Sequence, residues 1–371
     1  MFDVKYTPNG AVNRFKARLV ARGFAQIYSV DYGDTYAPTL RVDLLRILLA
    51  VIAIQDLEAH QVDMNNAFTE SHLKERIFIY PPEGVKAKPG CVLEILRSLY
   101  GLKQAARDWN ECCTQALRKL GFKPIPSDPC VFTGPGRMII GLYVNDLIIA
   151  GPRLKNIQEF KLAFARRCKI KDLGEIRKVL GIRVRRDRAN RAIYLDQTAY
   201  INQFLQEHGM REVQHRPAQI PLNGYEAIRK ANDSDARADR LQYQSQIGSA
   251  MFAMVYTRPD IAFALGKLSQ YVSDPAEYHQ RAVKTLFRYL GGSSALAIRY
   301  SADSNTRVTG YSDADYGSER DDRKSTIGTV FTFTRGAISW SSRKQRSVLT
   351  LTTKAEYIAL SYTPKQACWI A

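Results

Sequence analysis

Two carboxylates far apart in the chain, Asp63 and Asp146, fall where strand-forming stretches end. Residues 138–150 are apolar on both sides of one polar pair, Asn145-Asp146, and Gly151-Pro152 closes the run. Two short apolar runs around two polar residues read as a buried β-hairpin. Asn-Asp suits a two-residue turn, because both residues tolerate positive φ. Such a hairpin carries Asp146 at its tip. Asp63 ends the alternating run 57–62 and faces a sheet edge. Carboxylates that meet at neighbouring strand ends supply the charge and the hard oxygens that hold a divalent cation. Taken singly, the hairpin reads equally as a buried turn without chemistry, and Asp63 as a strand-end turn carboxylate. The pair is what suggests a site.

The elements that must position these residues are legible in outline. A short strand, a turn at residues 8–10 and a basic segment with Lys16, Arg18 and Arg22 open the chain. Residues 42–56 are apolar nearly all round and predict a buried helix with structural work only. Residues 77–80 form a strand stopped by Pro81-Pro82, and a helix runs from about residue 100 to Leu120. After the hairpin come an amphipathic helix over 155–168, a basic strand over 180–186 and a helix over 196–210. Residues 211–240, rich in Pro, Asn, Asp, Ser and Arg, make the best linker candidate. Three helices follow within 243–291, then strands over 308–313, 326–334 and 337–342, and a helix from Lys354.

The formal net charge is +18 over 371 residues, with an isoelectric point near 9.6. So large an excess favours a polyanionic partner, nucleic acid first. Six cysteines show no Cys-x-x-Cys pairing near histidines, which argues against zinc. Cys112 and Cys113, adjacent on a helical stretch, fit reduced, partly buried thiols. The strand-like, charged start does not resemble a signal peptide, and residues 44–54 are too short to span a bilayer. The expected location is intracellular, with no membrane partner.

Tyr143-Val144-Asn145-Asp146 resembles the Tyr-x-Asp-Asp box of reverse transcriptases, with Asn in place of the first Asp. Residues 15–24 (Phe-Lys-Ala-Arg-Leu-Val-Ala-Arg-Gly-Phe), 61–68 (Gln-Val-Asp-Met-Asn-Asn-Ala-Phe) and 98–107 (Ser-Leu-Tyr-Gly-Leu-Lys-Gln-Ala-Ala-Arg) resemble the fingers and palm of copia-type retrotransposon polymerases. Residues 257–262 (Thr-Arg-Pro-Asp-Ile-Ala) and 311–316 (Tyr-Ser-Asp-Ala-Asp-Tyr) resemble the connection and ribonuclease H regions of the same polyprotein. The resemblance implies an α+β fold: a right-hand polymerase palm and fingers with helical thumb and connection, then a truncated ribonuclease H-like lobe. The implied domains are 1–210, 211–300 and 301–371.

The resemblance also assigns roles. It implies RNA-directed DNA synthesis by two-metal nucleotidyl transfer, with Asp63, Asp146 and the degenerate Asn145 at the catalytic centre and Mg2+ (or Mn2+) as cofactor. Lys16 and Arg18 would meet the triphosphate, Phe68 would exclude a ribose hydroxyl, and Gln104 would lie near the nucleotide sugar. Lys103, Arg107, Arg183 and Arg185 would contact nucleic acid, and Asp313 and Glu356 would hold metal in the ribonuclease H-like lobe. A solvated basic strand remains the alternative for each isolated cation, and a plain core aromatic for Phe68. Implied partners are an RNA template, a DNA primer, an RNA–DNA hybrid and deoxynucleoside triphosphates. The implied site of action is the cytoplasm or a virus-like particle, with the nucleus as a second compartment. Three departures stand out: Asn145, Thr69-Glu70-Ser71 for the usual Leu-Asn-Gly, and Ala106 for the usual Pro. The C-terminal end inside or just after the last helix leaves further ribonuclease H strands and an Asp outside the chain. Asn145 and this truncation together predict an impaired copy, the alternative being a catalytically dead nucleic-acid-binding remnant or a host-adopted scaffold.

Overall fold

Helix α1 (Val42–Ile54) buries Leu45, Leu48, Leu49 and Ile52, as an all-round apolar helix must. In the computed structural model, which describes residues 2–6, 12–64, 66–86, 88–210, 217–302 and 306–370, this helix leaves its sequence neighbours. The chain forms two compact units, Met1–Arg41 with Leu57–Ile176, and Val42–Asp56 with Arg177–Ala371. Helix α1 belongs to the second unit.

In the first unit, β1 (Phe2–Tyr6) and β2 (Val12–Ala17) pair antiparallel. The turn expected at residues 8–10 lies outside the described residues. A six-stranded antiparallel sheet has the order β10-β3-β9-β8-β7-β6. Its strands are β3 (Glu58–Met64), β6 (Lys123–Ile125), β7 (Asp128–Gly134), β8 (Met138–Tyr143), β9 (Asp146–Gly151) and β10 (Ile170–Glu175). A separate ribbon joins β4 (His72–Ile79) to β5 (Leu93–Arg97). Helices α2 (Ala105–Lys119) and α3 (Leu154–Ala165) supply Trp109, Leu117, Ile157 and Phe160 to the core. Strands β3, β8 and β9 meet them with Val62, Met64, Ile140, Leu142, Leu147 and Ile149. Because strand side chains alternate, Gln61, Asp63 and Asp146 lie on the opposite face.

The second unit holds the sheet β11-β12-β13-β14 (Lys178–Val179, Ile182–Asp187, Ala192–Asp196, Ile298–Ser301). Helices α4 (Thr198–Glu207), α5 (Arg240–Tyr256), α6 (Ala262–Leu268) and α7 (Glu277–Gly292) share one apolar core built on Phe204, Tyr243, Leu265 and Phe287. Leu222 and Ile228 enter that core, so the stretch read as a linker is partly packed. Residues 211–216 lie outside the described residues. The division between units therefore falls at 176/177, where the sequence suggested 210/211, because α4 packs with α5 and α7. Strands β15 (Thr309–Asp315), β16 (Thr326–Phe333) and β17 (Gly336–Lys344) form a three-stranded sheet packed by α8 (Thr352–Ile370). Edge strand β15 exposes Tyr311, and α8 exposes Tyr357 and Leu360.

Helix α1 is pinned inside this unit by Arg46, which is 2% exposed. Its guanidinium donates to the carbonyls of Ile338 (2.8 Å), Tyr256 (3.2 Å) and Val255 and lies 3.8 Å from the Trp340 ring. Trp340 in turn donates to the Met254 carbonyl at 3.1 Å. The two side chains thus satisfy consecutive carbonyls of the last turn of α5, groups a helix end leaves unpaired. Among the described residues no helix is long and apolar enough to cross a membrane.

Candidate active site

The hairpin turn lies one residue earlier than the sequence suggests. Tyr143 pairs with Asp146, so the loop residues are Val144 and Asn145, and Asp146 opens β9. Val144 has φ 51°, a region that costs a β-branched residue about 1–3 kcal/mol and persists only where the surroundings hold it. The holders are visible. The Trp109 indole N–H donates to the Val144 carbonyl at 2.8 Å. The Met64 backbone N–H donates to the Asn145 carbonyl at 2.8 Å.

This shift sets Asp146 directly opposite Asp63 in the β3–β9 ladder. Directly opposed residues share a face and have Cβ atoms about 4.5–5.5 Å apart. Gln61, two residues before Asp63 on the same face, donates from Nε2 to Asp146 Oδ1 at 3.0 Å. Lys171, exposed on β10, is the register partner of Asp63 on the other side. Burial raises the Asp146 carboxyl above the ordinary carboxylate range, the Asp63 charge adds to this, and the bond from Gln61 opposes it. A carboxylate held uncomfortably in this way welcomes a cation.

Magnesium prefers hard oxygen ligands. Asp63 and Asp146 offer two carboxylates, and the Asn145 Oδ1 is buried without a hydrogen-bond partner. An orphaned acceptor on the residue that precedes Asp146 has the donor chemistry a cation takes. The charge is short of three: among the described residues no group of three or more His, Cys, Asp or Glu side chains converges.

Two of the expected residues, Arg18 and Phe68, meet at Tyr100. Arg18 lies 5.7 Å from the Tyr100 ring, and Phe68 meets the same ring edge-on at 4.9 Å. The segments carrying Arg18 and Tyr100 touch backbone to backbone, with Ala21 N–H on the Tyr100 carbonyl at 2.7 Å. Gly101 allows this at φ +93°, since a Cβ there would stand 2.2 Å from the Ala21 oxygen. The side chain of Lys16 lies outside the described residues. After Phe68 the chain makes a 3-10 turn, in which Thr69 Oγ1 donates to the Asn66 carbonyl (2.8 Å) and Ser71 Oγ to that of Phe68 (2.9 Å). Thr69 and Ser71 thereby close the altered turn through their own hydroxyls.

Gln104 departs from its expected place. It is 0% exposed, donates to the Asp31 carbonyl (2.9 Å) and to Glu75 (3.3 Å), and accepts from Gln26 at 3.1 Å. Its amide is an interior pin between α2 and the 26–31 segment, with no open side toward a sugar. Arg107 is similarly engaged, by the Asp34 carbonyl at 2.7 Å and Asp108 at 2.9 Å. Lys103 stays exposed, with its ammonium 4.5 Å from the Tyr32 ring centre.

In the second unit Arg183 and Arg185 are half-exposed and both bind Asp196, which is 0% exposed. Burial alone would raise the Asp196 carboxyl, but hydrogen bonds from Arg183 and Thr198 hold it below the ordinary range. The two guanidiniums are therefore fixed in place with their outer edges in solvent. Asp313 is exposed on β15 and Glu356 half-buried on α8, elements that pack together. Among the described residues no group of three or more His, Cys, Asp or Glu side chains forms here.

Sequence reasoning missed Gln61, Trp109 and Gln26. Gln61 was discoverable from its i−2 spacing to Asp63, and Trp109 from the need of a buried indole N–H for an acceptor.

A family described as Reverse transcriptase (RNA-dependent DNA polymerase) matches residues 2–223. The Retrovirus-related Pol polyprotein from transposon TNT 1-94 of Nicotiana tabacum is 35% identical over 100% of this chain and 28% of its own length. The Retrovirus-related Pol polyprotein from transposon RE1 of Arabidopsis thaliana is 32% identical over 100% of this chain and 25% of its own. The putative transposon Ty5-1 protein of Saccharomyces cerevisiae is 30% identical over 81% of this chain and 99% of its own length. The chain thus spans about a quarter of the two plant polyproteins. It belongs to the reverse transcriptase (RNA-dependent DNA polymerase) family and is homologous to Pol polyproteins of copia-type transposons.

Proposed function

We propose that this chain is the polymerase portion of a copia-type Pol polyprotein, built for RNA-templated DNA synthesis and weakened at its centre by Asn145. The observation that carries the reading is the register of β3 and β9, which sets Asp63 opposite Asp146 beside a strained, doubly tethered turn. In this reading the first unit is fingers and palm. The helical part of the second unit is thumb and connection, and residues 301–371 are a ribonuclease H-like lobe.

Asp63 and Asp146 would hold magnesium, with Asn145 Oδ1 as a neutral third oxygen. When bound, magnesium supplies Lewis-acid polarisation of the reacting phosphate and acidifies the primer hydroxyl. The chain's own residues do the rest. Arg18, stacked at Tyr100, offers a bidentate fork to the triphosphate, and Lys16 is assigned beside it by sequence position. Phe68, locked edge-on to Tyr100, presents a rigid wall to the sugar and favours a deoxynucleotide. Arg183 and Arg185, fixed by Asp196, contact phosphates of the primer–template or the RNA–DNA hybrid. An amide at position 145 keeps the oxygen and loses one charge of three, so ion binding is weaker and turnover is low while nucleic-acid binding survives. In the last lobe two acids without a third favour binding over cleavage of a hybrid.

The test is magnesium-dependent primer extension on an RNA template by Asn145→Asp, with Asp63→Asn in that background as control. Extension that depends on Asp63 is expected. Extension indifferent to Asp63→Asn would remove the carboxylate pair from the mechanism.

A further inference from the structure

Gln61 belongs to none of the roles above, yet it makes the one hydrogen bond between side chains that reaches Asp146 among the described residues. It is 6% exposed. Its register partner on β9 is Ile148, two residues beyond Asp146. The bond from Nε2 to Oδ1 therefore runs diagonally across the ladder, within reach of a long side chain. Ala59 and Ile148, its neighbours on the same face, are both 0% exposed. A buried amide needs an acceptor, and Asp146 Oδ1 at the strand end supplies one.

We propose that Gln61 is a positioning residue that fixes the Asp146 carboxylate toward Asp63. The proposal rests on the reading of these two acids as the ion-holding pair. A carboxylate with one oxygen committed to a fixed donor cannot rotate freely, which leaves the other oxygen for a ligand. The donor is neutral, and this matters. A lysine or arginine at position 61 would hold Asp146 more strongly but would cancel the charge that attracts a cation. An amide orients without competing. Partners of this kind, which touch a ligating group and not the metal, typically contribute about 10–100-fold to metal affinity.

Two measurements on the full chain test this. The first is Mn2+ affinity, read from the electron paramagnetic resonance signal of free Mn2+, for the parent, Gln61→Met and Gln61→Leu. Methionine and leucine keep most of the buried volume, add no charge and have no donor. About 10–100-fold weaker binding is expected for both variants. The second is the crystal structure of either variant, whichever folds, without metal. The Asp146 carboxylate is expected to turn away from its parental position. An unmoved carboxylate, or Mn2+ affinity within twofold of the parent, overturns the proposal. A parent chain that binds no Mn2+ at millimolar concentration contradicts the ion-holding pair itself. The variant's crystal structure then decides the role of Gln61 on its own.

Discussion

Replacing Trp109 by Phe removes the indole N–H that holds the Val144 carbonyl at 2.8 Å. Trp109 is 1% exposed, while Val144 is half-buried and the bond between them part-buried. Losing such a bond costs about 0.5–1.5 kcal/mol. The smaller ring leaves roughly 40 Å³ unfilled, which at about 24 cal/mol per Å³ adds ~1 kcal/mol. The sum, about 1.5–2.5 kcal/mol, is comparable to the ~1–3 kcal/mol stored in the left-handed Val144. The turn should therefore relax as well as weaken, carrying Asp146 out of line with Asp63. A misplacement of about 1 Å at a reacting centre costs on the order of 100-fold in rate. The assay pairs urea unfolding with primer extension in the Asn145→Asp background. Leu117→Ala, at a 0% exposed position in the same core, serves as the control. It should lose about 2–5 kcal/mol and leave the rate of the folded fraction intact. Trp109→Phe within 1 kcal/mol of its parent, or as active as the Leu117 variant, would refute the reasoning.

Arg46→Met should destabilise the second unit by about 3–5 kcal/mol, because it leaves Asp43 and three carbonyls underpaired. Arg46→Lys should fall between, and denaturant titration read by tryptophan fluorescence separates the three proteins. Asp146→Asn should raise the melting temperature at pH 7 while abolishing Mn2+ binding. The folded carboxyl titrates above its unfolded range, so its ionised form opposes folding as pH rises through about 4, and the variant's advantage should vanish below that pH. Arg183→Gln should weaken binding to an RNA–DNA hybrid uniformly across sequences and lower the salt slope by about 1 in a titration from low to high salt.

What the sequence disclosed and what it hid have separable causes. The apolar runs around Asn145-Asp146, the alternation before Asp63 and the helical faces of α2 to α7 are local patterns, and each element formed within a few residues of its expected place. The turn slipped by one residue because its position is set by tertiary hydrogen bonds from Trp109 and Met64, against the local reluctance of Val144 to take positive φ. The resemblance sets Gln104 near a nucleotide sugar, whereas here Asp31, Glu75 and Gln26 hold its buried amide. Helix α1 was read correctly as buried. The carbonyls that Arg46 binds were invisible because they lie 209 to 292 residues downstream, though an arginine inside so apolar a helix was a hint that carbonyls waited for it. The polar stretch 211–240 hid two core residues, Leu222 and Ile228, among turn-forming neighbours.

The rate of magnesium-dependent primer extension on an RNA template, measured side by side for the parent and Asn145→Asp, tests the account most directly. Restoring the missing charge at a ligand position should speed extension by more than the ~10–100-fold typical of partners outside the ligand shell, with hybrid binding unchanged. A parent chain that already extends primers as fast as the substituted protein would contradict it.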